Sequence, residues 1–468
     1  MNMKGRNIVH FLGIGGIGMS AIARWFAMEG YVVSGYDRTP SVITDALQAE
    51  GISISFEDSI ATIPSRVLED QSKVLIVWTP AMPAESTQLN YFRNEGFELK
   101  KRSEVLGMLT ESKYTIAVAG THGKTTTSSM IAHLLKTANL PITAFLGGVT
   151  QNYGSNLIKS PKSKKPELLV VEADEFDRSF LKLHPSEAVI TSADADHLDI
   201  YGDEDTILSG FRDFAKLIEK KGKLFIQDGA LQKLGEIEGR KLKVKEYGLR
   251  SSNITAENIQ ARSDSFVFDY RNGKDSIPHL ELFIPGYHNV ENALAAISVA
   301  INHGVSPDQI REGLKTFRGV KRRFEIHINE SDRVYIDDYA HHPEEIRSLL
   351  SSVIAMYPGK NITVIFQPHL YSRTRDFAEG FSESLSLADR VLLLDIYPAR
   401  EKAIQGVNSE MLLEGIQAQS KEVISKENLL SQLEKASSEV VVSLGAGDID
   451  RLVPQIASIL SRKTIKQP

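Results

Sequence analysis

The octapeptide GTHGKTTT, residues 120–127, constrains this chain more than any other segment. It follows the apolar run Tyr114–Ala119 and opens the helix-like stretch TTTSSMIAHLLKTAN. A strand that empties into a Gly-rich turn and restarts as a helix with Lys and Thr at its head is a polyphosphate cradle. Gly120, Thr121, His122 and Gly123 form the turn, Lys124 reaches the β/γ-phosphates, and the Thr125 hydroxyl, followed by Thr126, suits Mg²⁺. Gly120 and Lys124 enclose only three residues, one fewer than the usual phosphate loop. The plainer alternative is a strand-to-helix turn with a capping Thr. Nucleoside-triphosphate use is the expectation.

Composition narrows the rest. A chain of 468 residues, 42% hydrophobic and 24% charged, predicts a soluble protein of two to four domains. The net charge of −6 argues against a dedicated nucleic-acid partner. No run approaches the roughly 18 apolar residues of a membrane span, and MNMKGRNIVHFLG enters a strand without a signal-peptide pattern. The absence of cysteine excludes disulfides and thiolate chemistry. A cytoplasmic location is expected, with no membrane partner.

Short apolar runs alternate with amphipathic helices, which predicts an α/β fold built on parallel, doubly wound sheets. Three blocks are expected: 1–108, with strands Asn7–Leu12, Val32–Tyr36 and Val74–Val77; 109–318, holding the phosphate loop, a β-rich stretch at 240–285 and the helix Val290–Asn302; and 319–468, where NITVIFQPH, DRVLLLDIY and EVVVSLGAGD read as strands. The basic stretch KSPKSKKP, 159–166, reads as a solvated loop.

Further constellations sit at strand ends. Gly13, Gly15 and Gly18 spell G-x-G-x-x-G after the first strand, with Asp37 closing the second. This is a dinucleotide fingerprint, although any diphosphate suits the same cradle, and a turn needed only for helix–strand packing is the alternative. Glu172 ends an apolar run and is followed by Asp174, Glu175 and Asp177. A carboxylate there is placed to ligate Mg²⁺ or orient water. The next strand, expected at Ala188–Ser192, leads into Asp194, Asp196 and Asp199 around His197, a group able to help hold a second Mg²⁺, while no His or Cys at ligand spacing supports zinc. Asn289 reads as a helix N-cap, or with Asn292 as a pair of amides for a purine edge. Arg322, Arg323, Asp337, Asp338, His341 and His342 concentrate charge near residue 320–343, and Gln367-Pro368-His369 ends a strand with Arg373 and Arg375 behind it, a setting for a carboxylate or phosphate.

With GIGGIGMSA, GTHGKTTT, EADEFD, DADHLDIYG, HNVENALAA, DDYAHHP and FQPH in order, the chain resembles the Mur ligases over essentially its whole length. That resemblance implies three domains: an N-terminal Rossmann-like domain for the UDP-sugar, a central P-loop ATPase, and a C-terminal Rossmann-like domain that brings the amino acid and closes on ATP. It implies ATP-dependent ligation of L-alanine to the muramyl carboxylate of UDP-N-acetylmuramate in peptidoglycan precursor synthesis, with Mg²⁺, by a monomer or weak homodimer. A ligase joining a preformed peptide is the runner-up. Position by position, Gly13, Gly15, Gly16 and Gly18 match the diphosphate loop, Lys124 the phosphate lysine, Thr125 and Glu172 the first Mg²⁺ site and His197 the second. Asn289 and Asn292 match the adenine site, Arg323 a phosphate-side arginine and Asp338 a ribose ligand; His341, His369 and Arg373 fall where alanine and the muramyl carboxylate are received. His341 is the candidate for deprotonating the attacking amine. Two departures stand out: Leu370 occupies a position where many relatives carry Arg, and Phe211 occupies the position of a carbamylated Lys in sibling enzymes, so no carbamate is expected. From other classes, an NAD-dependent oxidoreductase would use Gly13–Gly18 and show absorbance changes at 340 nm without ATP, and a nucleotide-binding regulator would keep its function after Lys124→Ala. Both leave the remaining motifs without a role.

Overall fold

The computed structural model describes residues 5–463 except 195–200, 202, 238–241, 252, 400 and 436–437. The chain divides into two compact units, Met1–Ile254 with Ala295–Gly313, and Thr255–Leu294 with Leu314–Pro468.

In the first unit, β1 (Ile8–Leu12), β2 (Val32–Tyr36), β3 (Ser53–Ser55), β4 (Val74–Trp78) and β5 (Leu99–Lys101) form a parallel sheet in the order β3-β2-β1-β4-β5. The order reverses between β1 and β4, the switch point at which an open α/β sheet leaves a crevice for a ligand. The glycine loop leaves β1 there.

The same unit carries β6 (Tyr114–Ala119), β7 (Ile142–Phe145), β8 (Leu157–Lys159), β9 (Leu168–Glu172), β10 (Glu187–Ile190), β11 (Lys223–Gln227) and β12 (Lys243–Tyr247), ordered β12-β11-β10-β6-β9-β7-β8. Only the β7–β8 pair in this stretch is antiparallel. Ile116, Ala117, Val118 and Ala119 of β6 are all fully buried, as expected of a central parallel strand covered on both faces. Because β9, β6 and β10 are parallel neighbours, their C-terminal ends deliver Glu172, Gly120 and Thr191 to one edge. Near that sheet Phe180 stacks on Phe214 at 5.2 Å and meets Phe211 edge-on at 5.7 Å. Phe211 is therefore an apolar core ring at the position noted above.

The second unit holds β13 (Ile254–Ala261) with the hairpin of β14 (Phe266–Asn272) and β15 (Asp275–Leu282), as the β-rich reading of 240–285 predicts. It also holds a six-stranded sheet of β16 (Glu325–Asn329), β17 (Val334–Asp338), β18 (Ile362–Phe366), β19 (Arg390–Leu393), β20 (Ser420–Val423) and β21 (Val440–Leu444), ordered β16-β17-β21-β18-β19-β20. All neighbours except β16 and β17 run parallel. The fold is α/β throughout, with Rossmann-like N- and C-terminal domains flanking a central one that carries the phosphate loop. Among the described residues no helix is long and apolar enough to cross a membrane.

Two of the boundaries that differ from the sequence reading bear on the site. The strand expected at Ala188–Ser192 ends at Ile190, because Thr191 and Ser192 turn away to hydrogen-bond His122. The helix expected from Val290 begins at Tyr287, so Asn289 lies in its first turn rather than capping it.

Phe180→Ala should leave a void between Phe211 and Phe214 and cost the first unit about 3–5 kcal/mol. Both tryptophans, Trp25 and Trp78, belong to that unit, so urea denaturation followed by tryptophan fluorescence measures it. A midpoint equal to wild type would refute the packing role.

Candidate active site

Two glycine positions make the triphosphate turn possible. Gly120 has φ of +137°, and a Cβ there would fall 2.1 Å from Thr191 Oγ1; Gly123, at φ +80°, precedes the helix Lys124–Thr137, whose first turn has no side-chain cap. The turn is braced from β10's end. Thr121 Oγ1 donates to the Asp194 carbonyl at 2.9 Å, His122 N–H donates to Ser192 Oγ at 2.7 Å, and Thr191 Oγ1 donates to the His122 carbonyl. This lateral bracing gives a physical reason why a turn one residue short keeps its shape. Its product is an uncapped helix N-terminus, where backbone N–H groups and the helix dipole favour an anion.

Lys124 lies at the centre of the charge. Its Nζ donates to the Gly120 carbonyl at 2.5 Å, the Thr121 carbonyl at 3.1 Å and Glu175 Oε1 at 2.8 Å. Burial works against its charge, but Glu175, Asp174 and Glu172 together outweigh it and hold the ammonium above the ordinary lysine value. Burial pushes Glu175 up to about 7 in spite of the lysine beside it. Glu175 is 3% exposed and belongs to the acidic run already noted, yet nothing in the sequence says which acid of that run turns inward.

Thr125 Oγ1 donates to Glu172 Oε1 at 2.9 Å, and Gly147 N–H donates to Glu172 Oε2 at 2.8 Å. A Cβ on Gly147 would lie 2.5 Å from either Glu172 oxygen, so only glycine lets the backbone come this close. Burial raises the Glu172 carboxyl, which makes a nearby cation favourable. A hydroxyl and a carboxylate are hard oxygen donors, and the pair fits Mg²⁺, which takes one or two protein carboxylates beside substrate phosphates. Among the described residues no three His, Asp or Glu side chains converge as a metal cage. His197, the second candidate ligand, lies outside the described residues.

The first glycine loop is built differently. Gly13, at φ +85°, and Ile14 both donate their N–H to the Tyr36 carbonyl, at 2.8 and 3.0 Å. Gly15 N–H donates to Asp37 Oδ2 at 2.7 Å, so Asp37 sits against the loop itself. Gly16 starts the helix Ile17–Met28 with no side-chain cap, again leaving an anion-attracting terminus. Sequence reading missed Arg102. A Cβ on Gly18 would meet its guanidinium at 2.8 Å, and the same guanidinium pairs with Asp174 at 3.2 Å. Arg102 thus joins the glycine loop to the acidic run; it is 84 positions from Gly18, and no local pattern announces the contact.

In the second unit Asn289 and Asn292 are buried one turn apart on a helix. Asn289 Nδ2 donates to the Pro285 carbonyl at 2.8 Å, and Asn292 Nδ2 to Asn289 Oδ1 at 3.4 Å. Asp338, closing β17, accepts from Phe324 N–H and Ala340 N–H, both at 2.6 Å. Burial raises its carboxyl to about 6, with Arg323 pulling the other way. Arg322 and Phe324 have φ of 60° and 46°, so the backbone that Asp338 holds is a strained one. The guanidinium groups of Arg322 and Arg323 lie 5.3 and 4.8 Å from the Tyr339 ring centroid, and Arg323 is 3.8 Å from Glu345. His341 Nδ1 lies 3.0 Å from the Tyr339 carbonyl and 3.4 Å from Glu345 Oε2. Its ring is 6.1 Å from that of His369, which stacks on Tyr397 at 5.8 Å. Leu370 is buried at φ 68°, and Arg373, 7% exposed, follows in the helix Tyr371–Asp376. The structure therefore gathers Arg323, Asp338, His341 and His369 around one strand edge of this unit, whereas Arg375 is exposed and pairs with its neighbour Asp376.

One prediction concerns the nucleotide-free protein. A Glu175 carboxyl that binds its proton more tightly when folded stabilises fully below about pH 4.5 and loses that contribution as pH rises through about 7. Glu175→Gln should remove up to about 3 kcal/mol of that decline between pH 4.5 and 8. Urea unfolding of both proteins across the range tests it, and parallel pH profiles would contradict the assignment.

The chain is similar to known proteins over nearly its whole length. Models described as the Mur ligase family catalytic domain, the Mur ligase middle domain and the Mur ligase glutamate ligase domain match residues 8–114, 118–300 and 322–449. A UDP-N-acetylmuramate–L-alanine ligase of Christiangramia forsetii is 46% identical over 451 residues, covering 96% of this chain and 97% of the relative. Its counterpart in Flavobacterium johnsoniae is 45% identical, covering 98% and 99%. Among solved structures, a UDP-N-acetylmuramate-alanine ligase from Thermotoga maritima superposes with a TM-score of 0.78 at 29% identity, covering 98% of this chain and 99% of the other. A murein peptide ligase from Psychrobacter arcticus shares the fold, with a TM-score of 0.68 at 24% identity over 97% of this chain and 98% of its own. The chain belongs to the Mur ligase family.

Proposed function

We propose that the chain joins L-alanine to the muramyl carboxylate of UDP-N-acetylmuramate while ATP is converted to ADP and phosphate. The observation that carries this reading is the presence, within one compact unit, of two uncapped helix N-termini behind glycine loops, the second furnished with Lys124, Thr125 and Glu172. Two anion cradles of this kind suit two phosphorylated substrates. The working division is 1–108 for the sugar nucleotide, 109–318 for ATP and 319–468 for the amino acid.

A carboxylate repels an amine, so it is first activated. A muramyl carboxylate oxygen attacks the γ-phosphorus, the bond to the β,γ-bridging oxygen breaks, and ADP leaves with that electron pair. Lys124 exchanges Glu175 for phosphate oxygens and stabilises the charge spread over the transferring group. Thr125 and Glu172 would hold the Mg²⁺, which when bound neutralises phosphate charge. The alanine amine then attacks the acyl carbon, loses a proton and expels inorganic phosphate. His341 is suited to take that proton: if Nδ1–H faces the Tyr339 carbonyl, the basic lone pair lies on Nε2. Asn289, Asn292, Arg323 and Asp338 are assigned to the nucleoside end of ATP, Gly13 to Gly18 with Asp37 and His369 to the sugar nucleotide, and Arg373 to a substrate carboxylate.

Free alanine is preferred to a peptide acceptor because the relatives at 45–46% identity are named for L-alanine, while the murein peptide ligase shares only the fold. Phosphate release from ATP and Mg²⁺ should require UDP-N-acetylmuramate and L-alanine together, and Lys124→Ala should reduce turnover on the order of 10²–10³-fold or more. Release indifferent to the sugar nucleotide would defeat the reading. Faster turnover with L-alanyl-γ-D-glutamyl peptides than with alanine would favour the peptide ligase.

A further inference from the structure

The two phosphate loops rise from different sheets, and phosphoryl transfer needs their ligands aligned to within a fraction of an ångström. The seam between those sheets inside the first unit is where that spacing is set. On the helix that follows the first glycine loop, Ile17, Ser20 and Arg24 share one face at helical spacing, and Ser20 and Arg24 are buried amid otherwise apolar neighbours. Asn156, fully buried just ahead of β8, meets that face.

Every polar atom of its amide is engaged. Asn156 Nδ2 donates to the Ile17 carbonyl at 2.5 Å and to Ser20 Oγ at 2.9 Å, and Oδ1 accepts from Arg24 NH1 at 2.5 Å. Arg24 Nε is held in turn by both Glu50 oxygens, at 2.8 and 2.9 Å. On the other side, the Asn156 carbonyl accepts from Leu146 N–H at 3.0 Å, and the adjacent Gly147 N–H holds Glu172. A path of hydrogen bonds, joined through the backbone of Asn156 and of Leu146-Gly147, thus runs from Ile17 in the diphosphate loop to the carboxylate beside Thr125. Apolar surfaces alone tolerate sliding, whereas directional bonds at a buried seam select one register.

We infer that Asn156 is a positioning residue, which fixes the distance between the sugar-nucleotide loop and the triphosphate loop without touching either substrate. The inference rests on the ligase reading above. A displacement of about 1 Å between reacting groups costs up to about 10²-fold in rate while leaving each binding site intact.

Asn156→Asp keeps the shape and the Arg24 partner but removes both donors. It should bind a non-hydrolysable Mg·ATP analogue and UDP-N-acetylmuramate separately, each within about 3-fold of wild type and at full stoichiometry, while kcat falls roughly 10- to 100-fold. Positional isotope exchange in ATP, run with sugar nucleotide and without alanine, should slow by a similar factor, a result that mere loss of folded protein at full stoichiometry cannot give. Ser20→Ala, a milder cut in the same chain, should show the same split between kcat and binding, and it decides the matter if Asn156→Asp does not fold. A wild-type kcat in the folded variants, or a fall in kcat that only tracks lost binding, would overturn the inference. Wild-type turnover measured alongside separates that failure from a failure of the ligase reading itself.

Discussion

One ammonium, that of Lys124, faces three carboxylates, Glu172, Asp174 and Glu175, gathered where a central parallel strand and its neighbour end. Everything at the triphosphate turn follows from that imbalance. Asp174 is relieved by Arg102, and Glu175 is left with a carboxyl that binds its proton up to about pH 7. Glu172 is relieved by the Lys124 ammonium and by hydrogen bonds from Gly147 and Thr125. A polyanion entering such a surplus of negative charge would be repelled unless cations came with it, so the acid excess itself argues for a metal–nucleotide complex rather than free nucleotide. The lysine is already tied to its own loop and to Glu175, so phosphate binding is an exchange of partners. That exchange costs less than desolvating a free ammonium afresh.

The sheet topology turns this local chemistry into a site. A parallel sheet places successive strand ends on one edge, so residues 50 or 70 positions apart meet without any local pattern. The phosphate turn, the first glycine loop and the strand-end acids were legible because each is a contiguous motif with a physical reason for its spacing. The braces were not. Thr191 and Ser192 read as the last residues of a strand, yet their hydroxyls shape the turn from the side. Gly147 looks like any turn glycine until Glu172 is seen against its backbone. Arg102 looks like a helix-start residue of the first domain, yet it reaches the acidic run of the second. Asn289 shows the opposite error: a good capping residue by type, it sits inside the first turn because the helix starts sooner, just after Gly286 at φ +120°.

Three strained residues of the second unit cluster at one place. Arg322, Phe324 and Leu370 adopt left-handed backbone conformations that side chains other than glycine rarely take, and all three flank the ends of β17 and β18. Asp338 accepts the backbone N–H groups of Phe324 and Ala340, which, with Arg323 nearby, give so deeply buried a carboxyl reason to ionise. Leu370 is locked by its N–H to the Tyr397 carbonyl at 2.9 Å, the residue on which His369 stacks. Its buried, uncharged side chain leaves the recognition of a carboxylate at this strand end, on the proposed reading, to Arg373.

The buried polar seam around Asn156 completes the logic. A hydrophobic interface between the helix Ile17–Met28 and the β7–β8 hairpin would hold these elements together at least as well, since burying Arg24 is unfavourable unless every donor finds a partner. What a hydrophobic interface does not supply is a unique register. Arg24, Ser20 and Asn156 have few alternative pairings at that depth, so a shift of one element against the other breaks several bonds together. An enzyme that must bring a carboxylate held by one loop to a phosphorus held by another has more use for a fixed distance than for extra stability. On that view the polar seam is better explained by the reaction than by the fold.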